Sequence, residues 1–580
     1  MSMGALRTQM GRTQMGRTQM GRTQAGRTGA TRIRTILAAG GLLLLAACAA
    51  DGGHGDAPAA APPAPAEAPQ TPELRTATLF RHLRADPVRL AMFLRRMPKG
   101  ADLHNHMSGG IYAENMVDWA AAESACIDPK ALVLKPAPCT GGLVPAADAR
   151  RDVGLYNRLI NALSMRNFVA GAESGHDHFF DSFAKFEPAL KARVPEMLAE
   201  AANRAAASHV LYLELMWSNG MSKAAALAAP LGTPAPGTIP GNDATFEAWR
   251  AKVEPGLPAV IAAAKADTDA AEARMRQILR CGTADAQPGC AVSIRYLAQV
   301  IRVLPAPQVF AQSLYGYALT AADPRFVGVN LVAPEDNPVT LKDYGLQMRL
   351  LGYLGRRMPA ANLSLHAGEL ALGLVPPEDL RDHIRLAVEV AGAKRIGHGV
   401  DIGQETDAQH VLKTMADRGV LVEINLTSND VILGVTGRDH PITAYRAFGV
   451  PLALSTDDEG VSRIDLTHEY VRAAETYGLD YATLKTFSRN GLEHAFLPGA
   501  SLWGAPGQLV ASCAADHPGT SPSAACQAFL DQSQKATLQW RLEADFHDFE
   551  MAVAAEAESG LWGQGHGPKT TAESLGKSPN

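Results

Sequence analysis

Four short runs carry side chains that can bind a metal and move protons: Asp102-Leu-His104-Asn-His106, Leu365-His366-Ala-Gly-Glu369, Ile396-Gly-His398-Gly399 and Ser455-Thr-Asp457-Asp458. In an extended strand, residues two apart project to one face, so His104 and His106 form a two-nitrogen clip while Asn105 points the other way. His366 and the carboxylate of Asp457 complete a nitrogen and oxygen set that suits one zinc ion per chain, with a water in the open position. Glu369 and His398 are then surplus to coordination. A hydrolytic site needs such groups, one to orient the attacking water and one to protonate the leaving side. Other readings stay open at three positions. His398 could be a fifth ligand or a core histidine, and Glu369 a hydrogen-bonding partner of His366. Asp458 diverges from Asp457 and could contact a substrate or His398, or cap the following helix.

Placing these groups around one ion requires a particular scaffold. Short β-branched and aliphatic runs alternate with Ala/Leu/Glu/Arg-rich stretches, the pattern of repeated β-α units. Candidate strands are residues 102–108, 210–218, 292–302, 326–333, 363–369, 395–400, 421–428 and 451–458. Eight strands alternating with helices predict an α/β fold, a (β/α)8 TIM barrel whose catalytic groups sit at the C-terminal strand ends, where the polar motifs fall. Long stretches between the first three strands, including Cys126 to Cys139 and the Pro/Gly-rich segment 229–242, read as surface insertions. The expected organisation is a barrel over residues 75–500 and a helical C-terminal extension over 501–580 with a disordered tail after Gly563.

The first 47 residues read differently: seven arginines lead into an apolar run, residues 36–47, too short to span a bilayer. They are expected to be a signal peptide. Leu45-Ala46-Ala47-Cys48 resembles a bacterial lipobox, which predicts cleavage before Cys48, lipidation of its thiol and a membrane-anchored, exported protein. Residues 48–74 are rich in Ala, Pro and Gly and are expected to act as an anchored, disordered tether. Removing the leader takes seven of 54 basic residues and none of 59 acidic ones, leaving a formal charge of −12. Nucleic acid is therefore not an expected partner. The other six cysteines fall as Cys126/Cys139, Cys281/Cys290 and Cys513/Cys526, which predicts local disulfides in an oxidising compartment.

The runs Pro98-Lys99-Gly-Ala-Asp102-Leu-His104-Asn-His106, His366-Ala-Gly-Glu369, Gly397-His398-Gly399 and Ser455-Thr-Asp457-Asp458 resemble the signature of the adenosine deaminase family within the amidohydrolase superfamily. Weaker matches are Phe183-Ala-Lys185-Phe186-Glu187, Tyr212-Leu-Glu214, Gly328-Val-Asn-Leu331, Thr427-Ser428-Asn429 and His440-Pro441. The export signal and the cysteine-bearing insertion are similar to the extracellular, growth-factor-related branch of that family. The resemblance implies zinc-dependent deamination of adenosine or 2′-deoxyadenosine, with zinc on His104, His106, His366 and Asp457. Glu369 would be the proton donor, His398 the group that activates or stabilises the attacking hydroxide, and Asp458 a contact to the purine. The motif Asn425-Leu-Thr427-Ser428-Asn429 lacks the family's usual Cys-Pro, and two further positions depart from the pattern. Ser108 stands where the family places a ribose-binding Asp, and Ala333 near a Gly whose N–H meets the purine. The alternatives are an amidohydrolase acting on another purine or nucleotide, and a lipoprotein that binds nucleosides without turnover. A binuclear site is disfavoured because the fourth strand run, 326–333, has no lysine.

Overall fold

Eight strands run parallel and neighbour one another in sequence order in the computed structural model, which describes residues 71–563 apart from 191 and 506. They are β1 (Gly100–His106), β2 (Val210–Trp217), β3 (Ser293–Ile301), β4 (Phe326–Val332), β5 (Asn362–Ala367), β6 (Arg395–His398), β7 (Leu421–Ile424) and β8 (Leu452–Leu454). The ring closes at Asp457, just beyond β8: its N–H donates to the His104 carbonyl at 2.8 Å, and the His106 N–H donates to its carbonyl at 3.1 Å. Helices separate the strands and cover the outside, so β1, β2, β6, β7 and β8 are buried at every position. This is the expected (β/α)8 barrel.

Several strand ends differ from expectation, most of all the seventh and the eighth; the eighth was expected to reach Asp458 but stops at Leu454. The seventh was expected to reach Ser428, but β7 stops at Ile424 and helix Leu426–Leu433 takes over. Buried Glu469 accepts from both the backbone N–H (3.2 Å) and the hydroxyl of Thr427, so a carboxylate satisfies the start of this helix. The sixth was expected to reach Val400 but ends at His398, where φ becomes +69°.

Below the strands, buried Lys99 donates to the carbonyls of Leu94 (2.6 Å), Met97 (3.0 Å) and Ser208 (2.9 Å), tying helix Pro87–Arg96 to the entry of β2. Inside the barrel, Arg395 pairs with Glu214 and Glu423 at 2.6 Å each, all three buried. Such a network is favourable only when every partner is satisfied. Here the Ser364 hydroxyl and the Phe496 N–H complete the two carboxylates.

The insertion after β1 holds a small antiparallel sheet, Cys126–Asp128, Val133–Lys135 and Val144–Pro145, with Cys126 bonded to Cys139. Cys281–Cys290 and Cys513–Cys526 are also bonded, so all three expected pairings are present. The extension carries a short hairpin and helices Ala524–Leu530 and Gln534–Glu558. Its long helix packs on helix Pro72–Leu83 and on the barrel: Arg96 makes a bidentate pair with Glu556 at 2.7 and 2.9 Å, and Arg489 holds Glu543 at 2.7 Å. Helix Pro72–Leu83 begins inside the stretch expected to be tether, because the Thr71 hydroxyl caps it at Leu74 N and proline suits its first turn. The expected signal peptide, the expected lipidation site Cys48, the expected tether up to residue 70 and the expected tail after Gly563 lie outside the described residues. Among the described residues no helix is long and apolar enough to cross a membrane.

Candidate metal centre

The strand ends bring His104, His106, His366 and Asp457 onto one point. His366 Nε2 lies 3.1 Å from the Nε2 of both His104 and His106, and Asp457 Oδ1 lies 3.4 Å from His104 Nε2 and 3.2 Å from His106 Nε2. Ligands placed tetrahedrally about 2.05 Å from zinc would be about 3.3 Å apart, so these four separations suit one small divalent ion; His106 also groups with Asp457 and Asp458. The electrostatics agree. Burial disfavours a proton on His104, yet the Asp457 and Glu423 carboxylates outweigh it and raise His104 to about 10. Asp457 is held well below the usual carboxylate range by the surrounding imidazoles, despite its burial. The cluster therefore calls for a positive charge, and a metal would displace a proton on entering.

Each candidate ligand is also held from behind. His104 Nδ1 meets Glu423 Oε2 at 2.7 Å, His106 Nδ1 meets Gln299 Oε1 at 2.7 Å, and His366 Nδ1 meets Asn330 Oδ1 at 2.8 Å. The Ser428 hydroxyl donates to Asp457 Oδ2 at 2.7 Å. Because the three oxygens accept at Nδ1, a ring hydrogen lies there, and each Nε2 would offer a lone pair inward once a metal had displaced the second proton of His104. Burial and the neighbouring imidazoles hold His366 well below its ordinary value, which keeps it neutral.

His398 borders this cluster, with Nε2 3.7 Å from Asp457 Oδ2 and 3.6 Å from Glu369 Oε1. It lies close enough to His104, His366 and Asp457 to share an ion with them, so the fifth-ligand reading remains sterically open. Burial pulls it down to about 3, leaving it neutral. Burial pushes Glu369 well above the usual carboxylate range, with Asp457 and Glu335 adding to the effect. Its backbone is pinned by Glu335, whose two oxygens accept the N–H groups of Gly368 and Glu369 at 3.0 Å each.

Asp458 makes no side-chain hydrogen bond that caps the helix Glu459–Ser462 that follows. Its Oδ1 is buried without a hydrogen-bond partner, and burial raises it to about 7, with Asp457 adding to the rise and His106 opposing it. The Gly109 backbone packs against that carboxylate so closely that a Cβ would meet Oδ1 at 1.6 Å. Ser108 is half-buried in the turn after β1. Ala333 adopts φ +88°, a conformation that glycine favours, and its carbonyl accepts from Arg302 Nε at 2.8 Å. Together with His398 at φ +69° and Asp457 at φ +59°, it makes a third strained backbone position at the strand ends, as functional sites often contain.

Sequence reasoning assigned no role to Gln299, Glu335 or Glu423. Asn330 and Ser428 lie within quoted motifs, but no spacing rule marks a side chain as the support of a ligand on another strand.

Comparison with known proteins bears on this centre. Residues 256–501 match the family model for adenosine deaminase. That span supplies His366, Glu369, His398, Asp457 and Asp458, whereas His104 and His106 precede it. The chain is similar to the adenosine deaminase of Clostridium perfringens (strain 13 / Type A), 33% identical over 157 residues, covering 27% of this chain and 42% of that protein. It is similar to the adenosine deaminase of Serratia proteamaculans (strain 568), 36% identical over 136 residues, covering 23% and 38%. The chain thus matches less than half the length of these relatives. A solved amidohydrolase from Burkholderia ambifaria with bound Zn aligns with a TM-score of 0.46 at 16% identity, covering 80% of this chain and 95% of that one. The similarity to the adenosine deaminase family thus covers residues 256–501, less than half of the chain.

Proposed function

We propose that the protein deaminates adenosine and 2′-deoxyadenosine to inosine and 2′-deoxyinosine with release of ammonia, using one zinc ion on His104, His106, His366 and Asp457. The observation that carries this reading is the juxtaposition of four inward-facing donors with a buried, proton-holding Glu369 and a partnerless Asp458 oxygen. A pure binder needs no positioned acid. Zinc on these donors would supply a Lewis acid able to lower the pKa of water from about 15.7 to about 7. Addition at the amino-bearing carbon puts negative charge into the purine ring, and Glu369 donates its proton to the ring nitrogen as that charge develops. Asp458 accepts a hydrogen bond from another edge of the base and fixes its orientation. His398 activates or stabilises the attacking oxygen. The Ala333 N–H faces the base and the Ser108 hydroxyl the sugar, a shorter and uncharged substitute for a carboxylate.

The acidic chain favours the free nucleoside over a phosphorylated one, and the leader and lipobox favour export with a lipid anchor on Cys48. The test is steady-state turnover by the zinc-loaded full chain on adenosine, 2′-deoxyadenosine, AMP and adenine, followed by ammonia release. Adenosine or 2′-deoxyadenosine should show the highest kcat/KM. Much higher kcat/KM on AMP or adenine overturns the substrate, and no turnover of any of the four overturns the deaminase reading.

A further inference from the structure

Helix Leu426–Leu433 and the segment after it place a chain of buried side chains behind His398. His398 Nδ1 faces the Asn429 amide nitrogen at 2.9 Å, the Asn429 amide oxygen faces His440 Nε2 at 3.0 Å, and His440 Nδ1 receives the backbone N–H of Ile442 at 3.2 Å. His398 and Asn429 are 0% exposed and His440 1%, so water does not compete for these groups.

We infer that Asn429 and His440 are positioning residues that lock His398 with its ring hydrogen on Nε2, making it a hydrogen-bond donor to the attacking oxygen rather than the base that takes its proton. The assignment begins at Ile442, because a backbone N–H can only donate. His440 Nδ1 must accept it, so the hydrogen of this neutral ring lies on Nε2. Burial pulls His440 down to about 3 and thereby keeps it neutral. The Nε2–H requires an acceptor, which turns the Asn429 oxygen toward His440 and its NH2 toward His398. An NH2 can only donate, so His398 Nδ1 holds the lone pair and Nε2 the hydrogen.

That hydrogen faces the space between Glu369 Oε1 and Asp457 Oδ2, 3.6 and 3.7 Å away. Both separations are too long for a direct bond but suit a small oxygen species between them. The Asn425 amide nitrogen, 3.5 Å from His398 Nε2, is at the outer limit of hydrogen bonding, and its buried oxygen has no partner, so this amide turned over would accept the Nε2 hydrogen. A base role would need the opposite polarity at every link. The Asn429 amide would turn over, His440 would carry its hydrogen on Nδ1, and that hydrogen would face the Ile442 N–H, donor against donor.

The proposal rests on the deaminase reading for the reaction, but its first measurement does not. In the 15N-histidine-labelled full chain, with the His398 signals identified by their loss in His398→Gln, Nε2 should carry the hydrogen and Nδ1 should be bare. A hydrogen on Nδ1 alone overturns the proposal whether or not any nucleoside is turned over. His440→Leu removes the link to Ile442, whereas His440→Gln can still accept from Ile442 with its oxygen and donate to Asn429 with its nitrogen. Supporting groups behind a metal site typically matter about 10–100-fold, so His440→Leu should lower kcat by that factor with KM within about twofold and zinc content unchanged. His440→Gln should recover most of the loss. Unchanged kcat in folded, zinc-loaded His440→Leu, or equal losses in the two variants, overturns the positioning role. If the native chain turns over none of the four purines, the proposed function fails and the nitrogen signals alone decide the relay.

Discussion

Glu369 can act as an acid only if it keeps a proton beside a cluster built to hold a cation, and burial among Asp457 and Glu335 supplies that bias. A neutral glutamine preserves its shape and hydrogen-bonding reach but has no proton to give. Glu369→Gln should therefore retain about one zinc per chain and lose at least about a thousandfold in kcat, while His104→Ala should lose the metal itself. Metal analysis beside steady-state kinetics checks both, and normal turnover by Glu369→Gln would refute the acid role. His104 and His106 were legible because a two-residue spacing on a strand fixes which way both side chains point. Their supports were not: Glu423 is 319 positions from His104 and Gln299 193 from His106, and only barrel closure makes these residues neighbours.

At the scale of the element, β6 shows how tightly a strand can govern a ligand it does not carry. Gly397 lies against the His104 ring, and a Cβ there would stand 2.5 Å from its Cε1 and 2.7 Å from its Nδ1. The same Nδ1 is hydrogen-bonded to Glu423, so an added methyl must push the ring off its support. Gly397→Ala should weaken zinc binding by about 10–100-fold while leaving the circular dichroism spectrum of the barrel intact. Zinc titration of the folded variant measures this, and native affinity would show that the ring has room to yield. The glycine was visible in the Gly-His-Gly run, but its reason is an approach from a different strand. The overshoot of the seventh strand has a related cause. Leu426 and Thr427 suit a strand by local preference, whereas the helix they form depends on Glu469, 42 positions beyond Thr427.

For the whole molecule, the order of motifs along the chain was enough to read a barrel, since each polar run follows an aliphatic one and must end up on the same rim. Sequence order did not show that Asp457 itself joins the last strand to the first, nor that the C-terminal helix returns to pack on helix Pro72–Leu83. Both depend on contacts between distant parts of the chain, for which local periodicity gives no sign. The cysteines were legible because they pair over short separations of 13, 9 and 13 residues, and their Cα atoms stand 5.4, 5.5 and 4.6 Å apart, within disulfide reach. Disulfides of this kind suit the oxidising compartment that the proposed leader and lipid anchor at Cys48 would imply. Expressed in an export-competent bacterial host, the mature chain should begin at an acylated Cys48 and yield three linked peptide pairs without reduction, Cys126 with Cys139, Cys281 with Cys290 and Cys513 with Cys526. Intact-mass and non-reducing peptide mass spectrometry read both. An unmodified N-terminus downstream of Cys48 would remove the lipid anchor while leaving export in place, whereas six free thiols in the mature protein would count against the oxidising compartment itself.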